Sequence, residues 1–130
     1  MWIVLASRGA WAGPVTVEVE GAESDEGWVV CRWWTEAGAF PLDVTRAGTV
    51  RVRPSGGRAT CALGDLPAER LAVAVFHDED ADDVLDVNLL GMPSEAYGFS
   101  NGAAPRFRAP RFDEAAVVVG DGVVVRVELK

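Results

Sequence analysis

A chain of 130 residues that is 49% hydrophobic and 25% charged can bury one sizeable core, which sets aside disordered, collagen-like and multidomain organisations. Its formal net charge of -8 argues against nucleic acid, which needs a basic face, and against anionic membrane surfaces. No apolar run reaches the ~18 residues that a spanning helix needs.

Residues 1–13 (MWIVLASRGAWAG) hold a short apolar run, then Ser7, Arg8 and the triplet Ala10-Trp11-Ala12, which is shaped like an A-x-A cleavage site. The basic start of a signal peptide is missing and the run is short, so the segment reads either as a signal-peptide remnant or as an N-terminal strand. Residues 14–130 read as one β-sandwich domain. Pro14 to Glu20 alternates apolar and polar strictly, as a half-buried strand does. An acidic turn over 21–27 leads into Trp28 to Thr35, with Val29, Cys31 and Trp33 on one face. Trp28, Val30 and Trp34 fall on the other face, which is either covered by packing or offers an aromatic platform to a sugar.

Gly38, Pro41 and Gly48 mark 37–48 as an irregular connection. Thr49 to Arg53 alternates with arginines outward, which protects a strand edge. After the turn Pro54-Ser55-Gly56-Gly57, the strand Arg58 to Leu63 points Ala59, Cys61 and Leu63 inward. Leu71 to Phe76 is the most continuously apolar strand and is expected at the centre of a sheet. His77 to Asn101 is a long connection, with helix confined to a turn near Asp83 to Leu90. Ala115 to Val119 and Gly122 to Leu129 read as a closing pair joined by a tight hairpin at Gly120-Asp121-Gly122. Short strands between Gly/Pro turns imply an all-β antiparallel sandwich of about seven strands.

Cys31 and Cys61 are the only cysteines, and both lie in mid-strand on the inward face. They pair as an inter-sheet disulfide if the chain is exported, or remain two buried thiols. With no C-x-x-C pair and one histidine, zinc is disfavoured.

The chemistry concentrates after His77. Asp78, Asp80, Asp82 and Asp86 occupy positions 1, 3, 5 and 9 of a D-x-D-x-D-x-x-x-D loop, with the carbonyl of Val84 at position 7. Such a shell of oxygens suits Ca2+. Against it, Asp83 stands where the sharp turn favours glycine, and Leu89 where a bidentate glutamate is usual, so a solvated acidic loop competes with the ion. A hydrolytic enzyme using His77 and the loop carboxylates, with Ser94 or Ser100 as nucleophile, is the alternative. No nucleophile elbow or phosphate loop accompanies them. Tyr97, Phe99 and Phe107, with His77 and Asn101, are candidate contacts for a protein or glycan. The aromatics serve equally as a lid folded over the open end of the sandwich.

The segments GWVVCRWW, TCALGDLP, LAVAVFHDEDADDVLDVNLLGMPSEAYGFSN and PRFRAPRFDEAAVVV together resemble the bacterial family called domain of unknown function 2141, over residues 15–129. The resemblance implies an immunoglobulin-like or prealbumin-like Greek-key sandwich, export to the periplasm or beyond, and the Cys31–Cys61 disulfide. It implies no substrate. The chain departs from the family's pattern at Asp80-Ala81-Asp82-Asp83, where Asn-Gly-Asn-Gly is usual, and at Ala68-Glu69-Arg70-Leu71, where Pro-Gly-Thr-Tyr is usual. The expectation is an exported, non-catalytic binding or structural module of the cell envelope, with a protein or glycan partner and one Ca2+ in its acidic loop.

Overall fold

The computed structural model describes residues 13–79, 95–105 and 108–130. The N-terminal 1–12 and the expected helical turn near Asp83 to Leu90 lie outside them. Two sheets face each other. The smaller holds β1 (Gly13–Glu20), β4 (Arg58–Leu66) and β8 (Val123–Glu128) in the order β4-β1-β8. The larger holds β2 (Trp28–Trp34), β3 (Gly48–Val52), β5 (Arg70–Asp78) and β6 (Tyr97–Phe99) in the order β3-β2-β5-β6, and the two-residue β7 (Val117–Val118) pairs with the start of β5. The all-β sandwich is thus borne out, with eight strands among the described residues; the one beyond the expected seven is the short β6, inside the long connection after His77.

Strict alternation places the inner faces as expected. Val15, Val17 and Val19 of β1, Val29 and Cys31 of β2, and Ala59, Cys61 and Leu63 of β4 are all buried in one cluster. Leu71, Val73 and Val75 of β5, Val119, and Val125, Val127 and Leu129 at the C-terminal end complete it. Burying each such side chain contributes about 1.5–3 kcal/mol, enough to hold the two sheets face to face. The Cys31–Cys61 disulfide joins β2 to β4 and so ties one sheet to the other through the middle of this core. A buried structural bridge of this kind points to an oxidising compartment.

Two pairings depart from the expected pattern. β8 lies parallel to β1, with Val15 beside Val123 and Glu20 beside Glu128. The expected closing hairpin does not form, because β7 pairs with β5 in the larger sheet while β8 belongs to the smaller. The backbone explains the divergence. Val119 is buried with its N–H donated to the Glu69 carbonyl, and Gly122 donates to the Val119 carbonyl. The turn between them packs on Gly13, where a β-carbon would stand 2.6 Å from the Gly122 nitrogen. It therefore carries the chain across to β1 instead of folding it back.

The outer face of the larger sheet has a second core of Trp34, Ala39, Phe40, Ala72, Phe112 and Ala115. It is roofed by the connection after β2 and by the single-turn helix α1 (Phe112–Ala115). Phe40 sits edge-on to Trp34, Phe99 and Phe112 at centroid distances of 5.2, 6.2 and 6.3 Å. Such edge-to-face pairs add to the area they bury. The Trp34 indole N–H donates to the Asp43 carbonyl at 2.9 Å. The face left open between packing and a sugar platform is therefore packing at Trp34. Trp28 is half-buried, with the Arg53 guanidinium 3.9 Å over its ring. Because β5 is covered on both sides, its run of apolar residues needs no alternation.

Candidate functional site

His77 is the last residue but one of β5, faces into the sandwich and is fully buried. Its Nε2 lies 2.7 Å from the Glu26 carbonyl, so Nε2 carries the proton and donates, which leaves Nδ1 buried without a hydrogen-bond partner. The turn before β2 is pressed onto this strand end. Gly27 has φ +69°, and a β-carbon there would stand 2.0 Å from the Asp78 carbonyl oxygen. Ser24 donates to Glu79 at 2.9 Å across the same seam. As a surface contact His77 must therefore be corrected. Strand periodicity turns it inward, and the turn closes over it.

Asp78 lies in the strand, not in a loop, and is 1% exposed opposite Trp28. Asp80, Asp82, Val84 and Asp86 of the expected calcium loop lie outside the described residues, as do Asp83, Leu89, Ser94 and Phe107. Among the described residues no group of three or more His, Cys, Asp or Glu side chains is placed to hold a metal ion.

The run Tyr97-Gly98-Phe99-Ser100-Asn101 is a seam between the sheets. β6 pairs with β5, while Tyr97 and Lys130 exchange backbone hydrogen bonds of 3.3 and 3.0 Å just beyond β8. Gly98 allows this approach, since a β-carbon there would lie 2.6 Å from the Glu128 carbonyl oxygen. Ser100 is fully buried, accepts from the Val73 N–H at 2.9 Å and donates to the Ala115 carbonyl at 2.5 Å. Its hydroxyl is committed to joining β5 to α1 and is not presented to a substrate. Asn101 takes a left-handed φ of 59° and donates its amide to the Glu114 carbonyl at 3.1 Å. Phe99 is packed against the second core, so this ring lies on a sheet face and not over the open end of the sandwich. The strand-ending Ser-Asn pair was visible in the sequence; its carbonyl partners near residue 115 were not.

Glu114 anchors α1. Arg108 grips its carboxylate with both guanidinium nitrogens at 2.7 and 2.9 Å, and the Arg111 N–H donates to it at 2.8 Å. The Arg108 hydrogen bonds first, then the backbone bond, hold this carboxyl at about 2, well below its ordinary 4.5. A lowered folded pKa means that the stabilisation is present above the ordinary value and lost as pH falls through about 2. We expect Glu114→Gln to lower the melting temperature by a few degrees at neutral pH. The gap from the parent chain should close as acid is added between pH 4.5 and about 2. A gap independent of pH would show that the charge is not what anchors the helix.

A broad groove of about 720 Å3 crosses the outer face of the smaller sheet. Glu18 and Glu20 of β1, Arg58 and Thr60 of β4, and Arg126 and Glu128 of β8 form its sheet side. Tyr97, Phe99 and the turn Gly102-Ala103-Ala104 close the other side. Of the expected contact residues, the structure brings Tyr97 and Phe99 together here at 5.7 Å and keeps His77 apart, inside the sandwich.

Fold and site together define a disulfide-bridged, two-sheet β-domain with an amphipathic groove on one outer face. The chain belongs to the family described as "Uncharacterized protein conserved in bacteria (DUF2141)", whose model matches residues 17–126. Comparison with curated proteins and with solved structures gave no match. No helix among the described residues is long and apolar enough to cross a membrane.

Proposed function

We propose that this domain is an exported, periplasmic or secreted, non-catalytic binding module of the cell envelope. The observation that carries export is the Cys31–Cys61 bridge through the buried core, since reducing compartments keep such pairs open. The non-catalytic half is supported by the histidine and by the described candidate nucleophile. His77 and Ser100 are both buried and bonded to backbone carbonyls, where neither reaches a substrate. The groove is the surface for binding.

The test of export is the thiol state in the producing cell. Protein trapped in acid, unfolded and alkylated without reductant should carry no label, and two labels would overturn the proposal. One Ca2+ belongs to the same proposal, held by Asp78, Asp80, Asp82, Asp86 and the Val84 carbonyl, and it rests on their spacing along the chain. Calcium should raise the melting temperature by mass action, and Asp80→Ala should remove that rise. A melting curve indifferent to calcium eliminates the ion.

A further inference from the structure

We propose that the groove on the smaller sheet binds a neutral saccharide chain, which rests on the binding-module function above and names its ligand class. The charge balance comes first. The whole chain has 20 acidic against 12 basic side chains, yet the groove sets Glu18, Glu20 and Glu128 against Arg58, Arg126 and Lys130. A face balanced three to three on an acidic protein favours neither a polyanion nor a polycation.

The polar groups are also left available. Arg126 stands 3.8 Å from Glu18 and Arg58 stands 3.9 Å from Glu20, near enough to share charge and too far for a direct hydrogen bond. Their planar ends keep donors and acceptors side by side, the arrangement that a pair of neighbouring sugar hydroxyls matches. Glu20 lies directly beside Glu128 in the parallel pair. Like charges so placed repel, and two neighbouring hydroxyls, donating one to each carboxylate, relieve that repulsion.

The third feature is shape. Tyr97 is half-buried and braced edge-on by Phe99, which gives a fixed ring for the apolar C–H face of a pyranose. Gly102, Ala103 and Ala104 are short, so the side of the groove that carries the ring is low beside it. The volume of about 720 Å3 lies within the range of ligand-sized sites.

The test titrates the full, isotope-labelled chain with three neutral oligomers, maltohexaose, cellohexaose and hexa-N-acetylchitohexaose, each to about 10 mM, followed by NMR. At least one should shift the resonances of Thr60, Tyr97, Ala103 and Arg126 saturably, with affinity changing less than about twofold on adding salt. Arg126→Ala, at an exposed position, and Tyr97→Ala should each weaken binding by about tenfold with the fold intact. Should Tyr97→Ala fail to fold, Thr60→Trp puts a large ring into the groove from the exposed side of β4 and should block binding. Silence with all three sugars, shifts outside the groove, or groove shifts produced instead by a capped neutral hexapeptide would overturn the proposal. The thiol state separates the two ideas. A reduced chain that binds sugar removes export alone, and an oxidised chain silent to sugar removes the ligand class alone.

Discussion

Replacing both Cys31 and Cys61 by alanine should lower the free energy of unfolding by about 3–4 kcal/mol. The cysteines are 30 residues apart, and the bridge removes the closure entropy of that loop from the unfolded chain. A second contribution has the same sign, because both residues are fully buried and the truncation leaves space between β2 and β4. Urea unfolding of the two chains measures the difference. The slope should rise in the variant, since its unfolded state is less constrained and exposes more surface. A loss under about 1 kcal/mol would mean that the core holds the sheets together unaided and that the bridge is incidental to stability. The measurement also bears on function, because a domain that depends on this bridge is poorly suited to a reducing compartment.

Trp34→Ala should cost about 3–5 kcal/mol, the usual range for deleting a large buried aromatic. Trp34 is 1% exposed and stands at the base of the second core, where Phe40 packs on its edge and Asp43 accepts its indole N–H. Removing it opens a cavity under Phe40 and leaves the Asp43 carbonyl without its donor. Damage should spread first to the connection after β2 and to α1, which this cluster holds against the larger sheet. Faster amide exchange at Asp43 and Ala116 would report it, because both donate backbone hydrogen bonds in that layer. Trp28→Ala is the control. Its ring is half-buried under Arg53, and losing that contact should cost about 1 kcal/mol. Equal costs at the two tryptophans would show that the outer layer is not a true second core.

The difference between these two tryptophans shows how far the sequence could be read. Alternation in WVVCRWW puts Trp28 and Trp34 on the same side of β2. What covers each ring is supplied from elsewhere along the chain, by Phe40, itself backed by Phe112, at one end and by Arg53 at the other. The same limit explains the closing strands. Val123, Val125 and Val127 declare an inward face, but a period of two is identical for a hairpin with β7 and for a parallel pairing with β1. The Gly13 backbone approach and the Val119 hydrogen bond to Glu69 decide between them.

His77 shows the effect at the candidate site. In the sequence it stands beside six carboxylates and invites acid–base chemistry. In the fold it continues the inward row of Leu71, Val73 and Val75, and the turn at Gly27 seals it against the Glu26 carbonyl. Ser100 likewise looks reactive until Val73 and Ala115 are found on either side of its hydroxyl. The groove was not legible at all. Its residues come from β1, β4, β8, β6 and the turn at 102–104, and Glu18, Glu20, Arg58, Thr60, Arg126 and Glu128 are each an ordinary outward-facing side chain of its own strand.

By itself, then, the sequence determined the strand faces, the inward pair of cysteines, the central place of β5 and the family, because these follow from local periodicity, residue type and motif. Only the tertiary structure decided which strands are neighbours, what roofs the outer face of the larger sheet and which polar side chains share a groove. Those outcomes depend on contacts between residues far apart in the chain, and a local pattern carries no record of its partner.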